Sequence, residues 1–174
     1  MKSIASALAF ACLIASAGAD ADDKGFSKGP LINDFGPVVP IPEASLPSNA
    51  KFSIAFDVTA RSEMGTVNKR IESAARFLNM HVAAGVDPED IKLAVVIHGS
   101  AVFDMTSDDK YGGKNANADL IAQLMKHGVT FHVCGQSAVF QGVSAEDLLP
   151  GVKMELSAMT AHALLQQKGY TLNP

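Results

Sequence analysis

The chain has 174 residues, a formal net charge of −4 and no tryptophan, and only 6% of its residues are aromatic. Charges of both signs are dispersed along the sequence, and no basic run is interleaved with aromatic residues, so no nucleic acid is expected as a partner. The low aromatic content also argues against an aromatic stacking groove.

The first residues have the pattern of a secretory signal peptide. A positive start at Lys2 precedes an uncharged apolar stretch over residues 4–14, and Ala17-Gly18-Ala19 fits an A-x-A cleavage pattern. The sequence therefore predicts a signal peptide over residues 1–19, a periplasmic protein, and no membrane attachment after cleavage, because the apolar segment is too short for an anchor. Since Cys12 lies in this segment, Cys134 would be the single cysteine of the exported protein.

Residues 20–50 differ in composition from the rest of the chain. They contain five of the eight prolines, which excludes a regular helix or a central strand. Apolar residues such as Leu31, Ile32 and Val38 make the segment too apolar for a solvated tail. We expect a proline-rich extended arm that packs on the domain or on a neighbouring subunit.

From residue 51 to the end, predicted strands and helices alternate. Strands are predicted at residues 52–58, 91–97, 129–134, 152–156 and 170–172, and helices at 67–82, 117–128, just after Gly135 and at 158–168. This alternation requires crossover connections. Residues 51–174 are therefore predicted to form one α/β domain: a mostly parallel five-stranded sheet in a three-layer, Rossmann-like or flavodoxin-like arrangement.

In such sheets, ligands bind beyond the carboxyl ends of the strands. That rule selects the neighbourhoods of Asp57, of His98 and Gly99, and of Cys134. Cys134 directly precedes a predicted helix, whose free N–H groups favour a thiolate, and His98 would approach it if their strands are neighbours. His132 points to the same face but is more typical of a satisfied core histidine. Free cysteines are also among the most buried residues, so a packed, inert thiol is one alternative, and a disulfide between two chains is another.

The remaining motifs point to little further chemistry. The five histidines have no metal-ligand spacing and there is no C-x-x-C, so no metal site is predicted. No Walker or Rossmann glycine pattern occurs, so no cofactor is expected. The polar segment 107–114 is either a solvated connection or a lid in which Tyr111 closes over the strand ends.

Four pieces of sequence together resemble the DsrE/DsrF-like family, and in particular its exported, signal-peptide-bearing branch. They are residues 94–99 (AVVIHG), Tyr111, residues 117–121 (NADLI) and residues 133–136 (VCGQ). The resemblance spans residue 51 to the carboxyl terminus and implies a Rossmann-like domain that assembles into homotrimers or hexamers. By motif position it also implies that Cys134 is a persulfide carrier in sulfur relay. His98 matches the family's histidine-glycine strand end, Gln136 lies in its cysteine loop, and Asn79 matches an asparagine on its first helix.

The sequence departs from the best understood relatives in one respect. Those work in the cytoplasm with dedicated sulfur donor and acceptor proteins, whereas an exported protein needs a different sulfur source, and the sequence names neither donor nor acceptor.

Two functional hypotheses follow. The first is an exported, sulfurtransferase-like sulfur carrier, and the second is a non-catalytic oligomeric module that binds a small ligand and has a packed cysteine. The candidate catalytic residues are Cys134 and His98, and the candidate ligand-binding residues are Gly99, Gly135, Gln136, Tyr111 and Asn79.

Overall fold

The computed structural model describes residues 25–173, and its centre is a five-stranded sheet. The strands are β1 (Phe52–Val58), β2 (Ile91–Ile97), β3 (Thr130–Cys134), β4 (Lys153–Glu155) and β5 (Thr171–Asn173). Their order is β4-β3-β2-β1-β5, and every pair is parallel. The predicted parallel α/β sheet is confirmed. The signal peptide predicted over residues 1–19 lies outside the described residues.

Five α-helices connect the strands. They are α1 (Lys69–Ala83), α2 (Asp108–Tyr111), α3 (Ala118–Lys126), α4 (Gly135–Phe140) and α5 (Ala158–Gln167), with 3-10 turns at Pro88–Asp90, Gly99–Met105 and Ala145–Asp147. Helix α1 begins two residues later than its apolar pattern predicts, because the Asn68 side chain accepts the Arg70 N–H and caps the helix.

The direction of the connections decides which helix covers which face. The chain moves one way across the sheet from β1 to β4 and then returns past β1 to add β5. Because parallel crossovers are right-handed, a return in the opposite direction places its helix on the opposite face. Helix α5 makes that return, so the sheet carries α5 on one face and α1, α3 and α4 on the other.

The two faces have different cores. The face of α1, α3 and α4 is lined by large apolar side chains such as Leu78, Leu120 and Phe131. The α5 face has a smaller cluster of mostly small residues: Ala55, Ala94, Val96, Cys134, Ala158, Ala161 and Leu165. Cys134 therefore lies in the layer between the sheet and α5.

The described part of the arm packs on α1. Ile32 and Val38 are buried, and Ser27 and Val38 form an antiparallel bridge that closes the arm into a loop. The Asn79 side chain on α1 accepts the N–H groups of Leu31 and Ile32 at 3.2 and 2.8 Å. These contacts hold the segment against its own domain.

Most of the segment 107–114 is exposed, as in a solvated connection, and Tyr111 is its one buried residue. The segment begins with the single turn of α2, and Tyr111 at the end of that turn is only 2% exposed. Just after this segment, the buried Asn115 side chain donates to the carbonyl oxygens of Asp104 and Thr106 at 3.0 and 2.8 Å.

Candidate functional site

The sheet register brings His98 and Cys134 to neighbouring strand ends. Ile97 of β2 is paired with Val133 of β3, and His98 and Cys134 are the next residues of their strands. Neighbouring strands lie about 4.8 Å apart, and side chains on a strand alternate between faces. His98 and Cys134 consequently lie side by side on the α5 face, as expected if β2 and β3 are neighbours.

The Cys134 sulfur is surrounded by hydrogen-bond donors. The side chain is 6% exposed, and its Sγ accepts the Ser137 N–H at 3.5 Å, which caps α4. Burial raises the pKa of the thiol, but hydrogen bonds from the Ser137 side chain and from the N–H groups of Ser137, Ala158 and Gln136 outweigh it, so the pKa is lowered overall. The thiolate is stabilised by donors at the start of two helices.

Ser137 belongs to the candidate site, and it was not identified from the sequence. Its Oγ accepts the Gly99 N–H at 3.0 Å, so it links the end of β2 to the cysteine turn after β3. Since the Gly99 N–H supplies a donor to this oxygen, the Ser137 hydroxyl hydrogen is available for the Cys134 sulfur. The spacing Cys-x-x-Ser at a predicted helix start was the available signal, because it places the serine at the position that a capping side chain reaches.

His98 bonds to a carboxylate rather than to the thiol. Its Nε2 lies 3.1 Å from each oxygen of Asp57, and Nε2 of His162 on α5 lies 2.8 Å from Asp57 Oδ1. Burial raises the pKa of Asp57, but the hydrogen bonds with His162 and His98 outweigh it, and the pKa is lowered. His98 was expected to lower the pKa of the Cys134 thiol. In the structure its Nε2 contacts the Asp57 carboxylate, and the donors that lower the thiol pKa are other groups.

His132 has partners for both ring nitrogens. Nδ1 lies 2.7 Å from Oε1 of Glu155, and Nε2 lies 3.0 Å from the Thr130 hydroxyl. Glu155 is also the register partner of Cys134. His132 thus has the hydrogen bonding expected of a satisfied core histidine.

Gly99 and Gly135 let the strand ends approach their neighbours. Gly99 has φ +58°, and a Cβ there would lie 2.7 Å from the Thr59 carbonyl oxygen. A Cβ on Gly135 would lie 2.7 Å from the Glu155 carbonyl oxygen. Gln136 is exposed, and its Nε2 donates to the Leu156 carbonyl oxygen at 3.4 Å. Gly135 and Gln136 follow Cys134 directly, and Gly99 follows His98. The contacts of these three residues are structural, and ligand binding by them stays a prediction.

The structure places Tyr111 and Asn79 away from Cys134. The Tyr111 hydroxyl accepts the Gly65 N–H at 3.3 Å, and its ring lies under the Arg61 guanidinium at 4.6 Å. The buried Asn79 amide donates to the carbonyl oxygens of Ile32, Phe35 and Gly36 in the arm. Asn79 was a candidate ligand-binding residue, but in the structure its side chain binds the backbone of the arm.

Two further features concern residues 25–173 only. Within that range, no group of three or more His, Cys, Asp and Glu side chains is arranged to hold a metal ion. In the same range, no helix has the length and apolar character needed to span a membrane.

Comparisons with known proteins agree with this architecture. A model described as the DsrE/DsrF-like family matches residues 51–174. A similar solved structure is that of a protein of unknown function from Methanobacterium thermoautotrophicum, with a TM-score of 0.55 and 19% identity, covering 71% of this chain and 98% of the other. At that identity the likeness shows a shared fold. No curated protein matches the chain.

Proposed function

Because the chain belongs to the DsrE/DsrF-like family, a family of sulfur-relay-like proteins, we propose that it is an exported sulfur carrier whose working residue is Cys134. The observation that supports this most directly is the set of donors around Cys134 Sγ, which lowers the pKa of the thiol. A thiolate is the nucleophilic form of cysteine, so a lowered pKa increases the reactive fraction at neutral pH.

The proposed reaction is a transfer of sulfane sulfur. The Cys134 thiolate attacks the outer sulfur of a persulfide R–S–SH, the S–S bond of that persulfide breaks, and R–S⁻ leaves with the electron pair. Cys134 then holds the persulfide Cys134–S–SH. An acceptor thiolate attacks its outer sulfur and regenerates the Cys134 thiolate. The sulfur atom changes carrier without any external oxidant or reductant.

Mass spectrometry tests the carrier role. The protein recovered from the periplasm is treated with polysulfide, and peptides containing Cys134 should gain one or more sulfur masses that dithiothreitol removes. Cys134→Ala, with the same treatment, should gain none. The intact mass should correspond to a chain that begins after Ala19. A wild-type protein that gains no sulfur at Cys134 would contradict the carrier proposal, and an uncleaved chain would contradict export.

One observation favours the second candidate, a non-catalytic module that binds a small ligand. Cys134 is 6% exposed and packs within the cluster of Ala94, Ala158 and Ala161. If that packing excludes reagents, iodoacetamide should not alkylate the native protein, and Cys134→Ala should still fold and bind its ligand. Rapid alkylation of native Cys134 would exclude this candidate.

We also propose that copies of the chain assemble into a homotrimer or hexamer. Apolar side chains that border the cysteine turn are exposed: Val139, Phe140, Leu156 and Met159. Phe140 is 88% exposed, on the helix that starts next to Cys134. Exposed apolar patches typically mark an interface with another protein, and we assign these four side chains to one.

A further inference from the structure

Asp57 connects three elements at the edge of the sheet that carries Cys134. Asp57 lies in β1, one residue before the strand ends. His98 follows β2, and His162 lies on α5, 105 residues away from Asp57 in the chain. Both imidazoles reach the carboxylate through Nε2, at 3.1 Å for His98 and 2.8 Å for His162. All three side chains are partly exposed, so a ligand at this edge has access to them.

The positions of the protons follow from the charge of Asp57. The lowered pKa of Asp57 keeps the carboxylate ionised, and an ionised carboxylate only accepts hydrogen bonds. Nε2 of both histidines therefore carries a hydrogen. With Nε2 of His98 committed to Asp57, Nδ1 is the His98 nitrogen that exchanges a proton with a ligand.

His98 is also connected to the reacting sulfur. Its neighbour Gly99 donates to Ser137 Oγ, and the Ser137 N–H donates to Cys134 Sγ. A group that leaves the Cys134 sulfur on the α5 face departs next to the His98 ring, because the two residues occupy adjacent register positions.

We propose that His98 is the acid–base residue for sulfur transfer at Cys134, and that Asp57 and His162 are positioning residues that hold its ring and its tautomer. This inference rests on the proposed function and adds to it the source of the proton.

The proton balance of the step is simple. When Cys134–S⁻ takes the outer sulfur of R–S–SH, the leaving R–S⁻ receives the Nδ1 proton of the His98 imidazolium. The products are R–SH, the Cys134 persulfide and a neutral His98 that remains bonded to Asp57. In the delivery step, neutral His98 takes the proton of the incoming acceptor thiol, which returns His98 to its charged form.

Other ionisable groups surround this cluster. They are His132 of β3, which is paired with Glu155 of β4, and Arg70 of α1, which lines a small cavity with Asp57 and Asn173. The pH dependence of any variant is therefore compared with that of the wild-type protein, which retains all of these groups.

The test varies the thiolate that leaves. Glutathione disulfide and glutathione persulfide release an alkyl thiolate, which benefits from protonation. An aromatic disulfide that releases thionitrobenzoate needs little help, because a thiolate of low pKa leaves readily. Rates are measured across pH for the wild type, Asp57→Asn, His162→Gln and the control His127→Gln, an exposed histidine at the opposite edge. Iodoacetamide alkylation reports on the Cys134 thiolate alone, because iodide needs no proton.

General acid–base catalysis contributes about 100-fold or more. We therefore expect Asp57→Asn and His162→Gln to slow the glutathione reactions by about tenfold or more, because each removes part of the support of His98. In these two variants the rates of thionitrobenzoate release and of alkylation should change by less than about threefold, because neither reaction needs a donated proton. In the control variant His127→Gln, every rate should stay within the same limit. Circular dichroism confirms that the variants are folded. Equal losses with both classes of leaving group would overturn the assignment.

The same experiments separate this inference from the proposed function. A persulfide that forms on Cys134 at the same rate in all variants would leave the carrier proposal intact and overturn the role of the cluster. A cluster-dependent exchange with glutathione disulfide, without any stable persulfide on Cys134, would support the proton-donor role and overturn the carrier proposal.

Discussion

At the Cys134 sulfur, ionisation depends on hydrogen-bond donors from the backbone and from one serine. The Ser137 side chain is the largest of the contributions that lower the pKa, although burial acts against it more strongly than any single donor. Hydrogen bonds to a charged acceptor are stronger than neutral ones, at about 1.5–3 kcal/mol. The serine thus acts on the charged form of the thiol.

Ser137→Ala tests this role at the level of one residue. The folded protein lowers the pKa of the thiol, so alkylation should reach half its maximal rate at a lower pH than it does for an unperturbed cysteine. Removal of the hydroxyl destabilises the thiolate and moves this midpoint upward. Alkylation at pH 7 should slow by about tenfold, and the rates of the two proteins should converge at high pH.

Ser107→Ala is a suitable control, because this serine lies before α2 and away from the cysteine turn. An unchanged alkylation midpoint in Ser137→Ala would show that the backbone N–H groups alone set the pKa.

At the level of elements, the packing of the arm on helix α1 depends on one buried amide, the side chain of Asn79. Asn79 accepts from two backbone N–H groups of the arm and donates to three of its carbonyl oxygens. Glu72 adds a contact with the Gly36 N–H at 3.2 Å. The arm has little regular structure of its own, so α1 supplies the partners that its backbone needs.

Asn79→Ala should detach the arm. The change leaves several buried backbone groups without partners, each at a cost of about 1–3 kcal/mol, so the free energy of unfolding should fall by about 3 kcal/mol. Urea denaturation measures this loss, and limited proteolysis should show faster cleavage within residues 25–50.

The exposed residue Asn49 provides the matched control, since a surface change to alanine should stay within about 0.5 kcal/mol. Equal losses of stability in the two variants would contradict the assigned role of Asn79.

At the level of the whole molecule, the two faces of the sheet are covered unequally. Three helices and the arm cover one face, whereas α5 alone covers the other in the described part of the chain. Exposed apolar residues lie at the end of α4 and around the start of α5: Val139, Phe140, Leu156 and Met159. A neighbouring copy seated there would complete the cover of this layer and would border the thiol.

Sedimentation velocity tests the proposed assembly. The wild-type protein should sediment as a trimer or hexamer at micromolar concentration. Burial of one large apolar side chain contributes about 1.5–3 kcal/mol, so replacing both Phe140 and Met159 with serine should weaken association about 100-fold or more. Met80→Ser is the control, because Met80 is exposed on α1 at the other face. A wild-type protein that sediments only as a monomer would contradict the assembly.

Much of the fold could be predicted because its signals are local. The continuous apolar runs of β2 and β3 and the helical spacing of α1 depend only on residues within one segment. The five strands and their parallel pairing could therefore be predicted from the sequence. The same reasoning placed Cys134 and His98 at strand ends. The turns at Gly99–Met105 and Asp108–Tyr111 escaped prediction, since buried asparagines and aspartates satisfy them through contacts that cross segments.

The sequence by itself determined the α/β class, the position of the Cys134 thiol at the end of β3, and the family. Only the tertiary structure decided the partners: Asp57 for His98, His162 for Asp57, Ser137 for both Gly99 and Cys134, and the arm for Asn79. The reason is physical. Secondary structure follows from periodicities of two to four residues, whereas these hydrogen bonds depend on the strand order β4-β3-β2-β1-β5 and on the return crossover that carries α5 across the sheet.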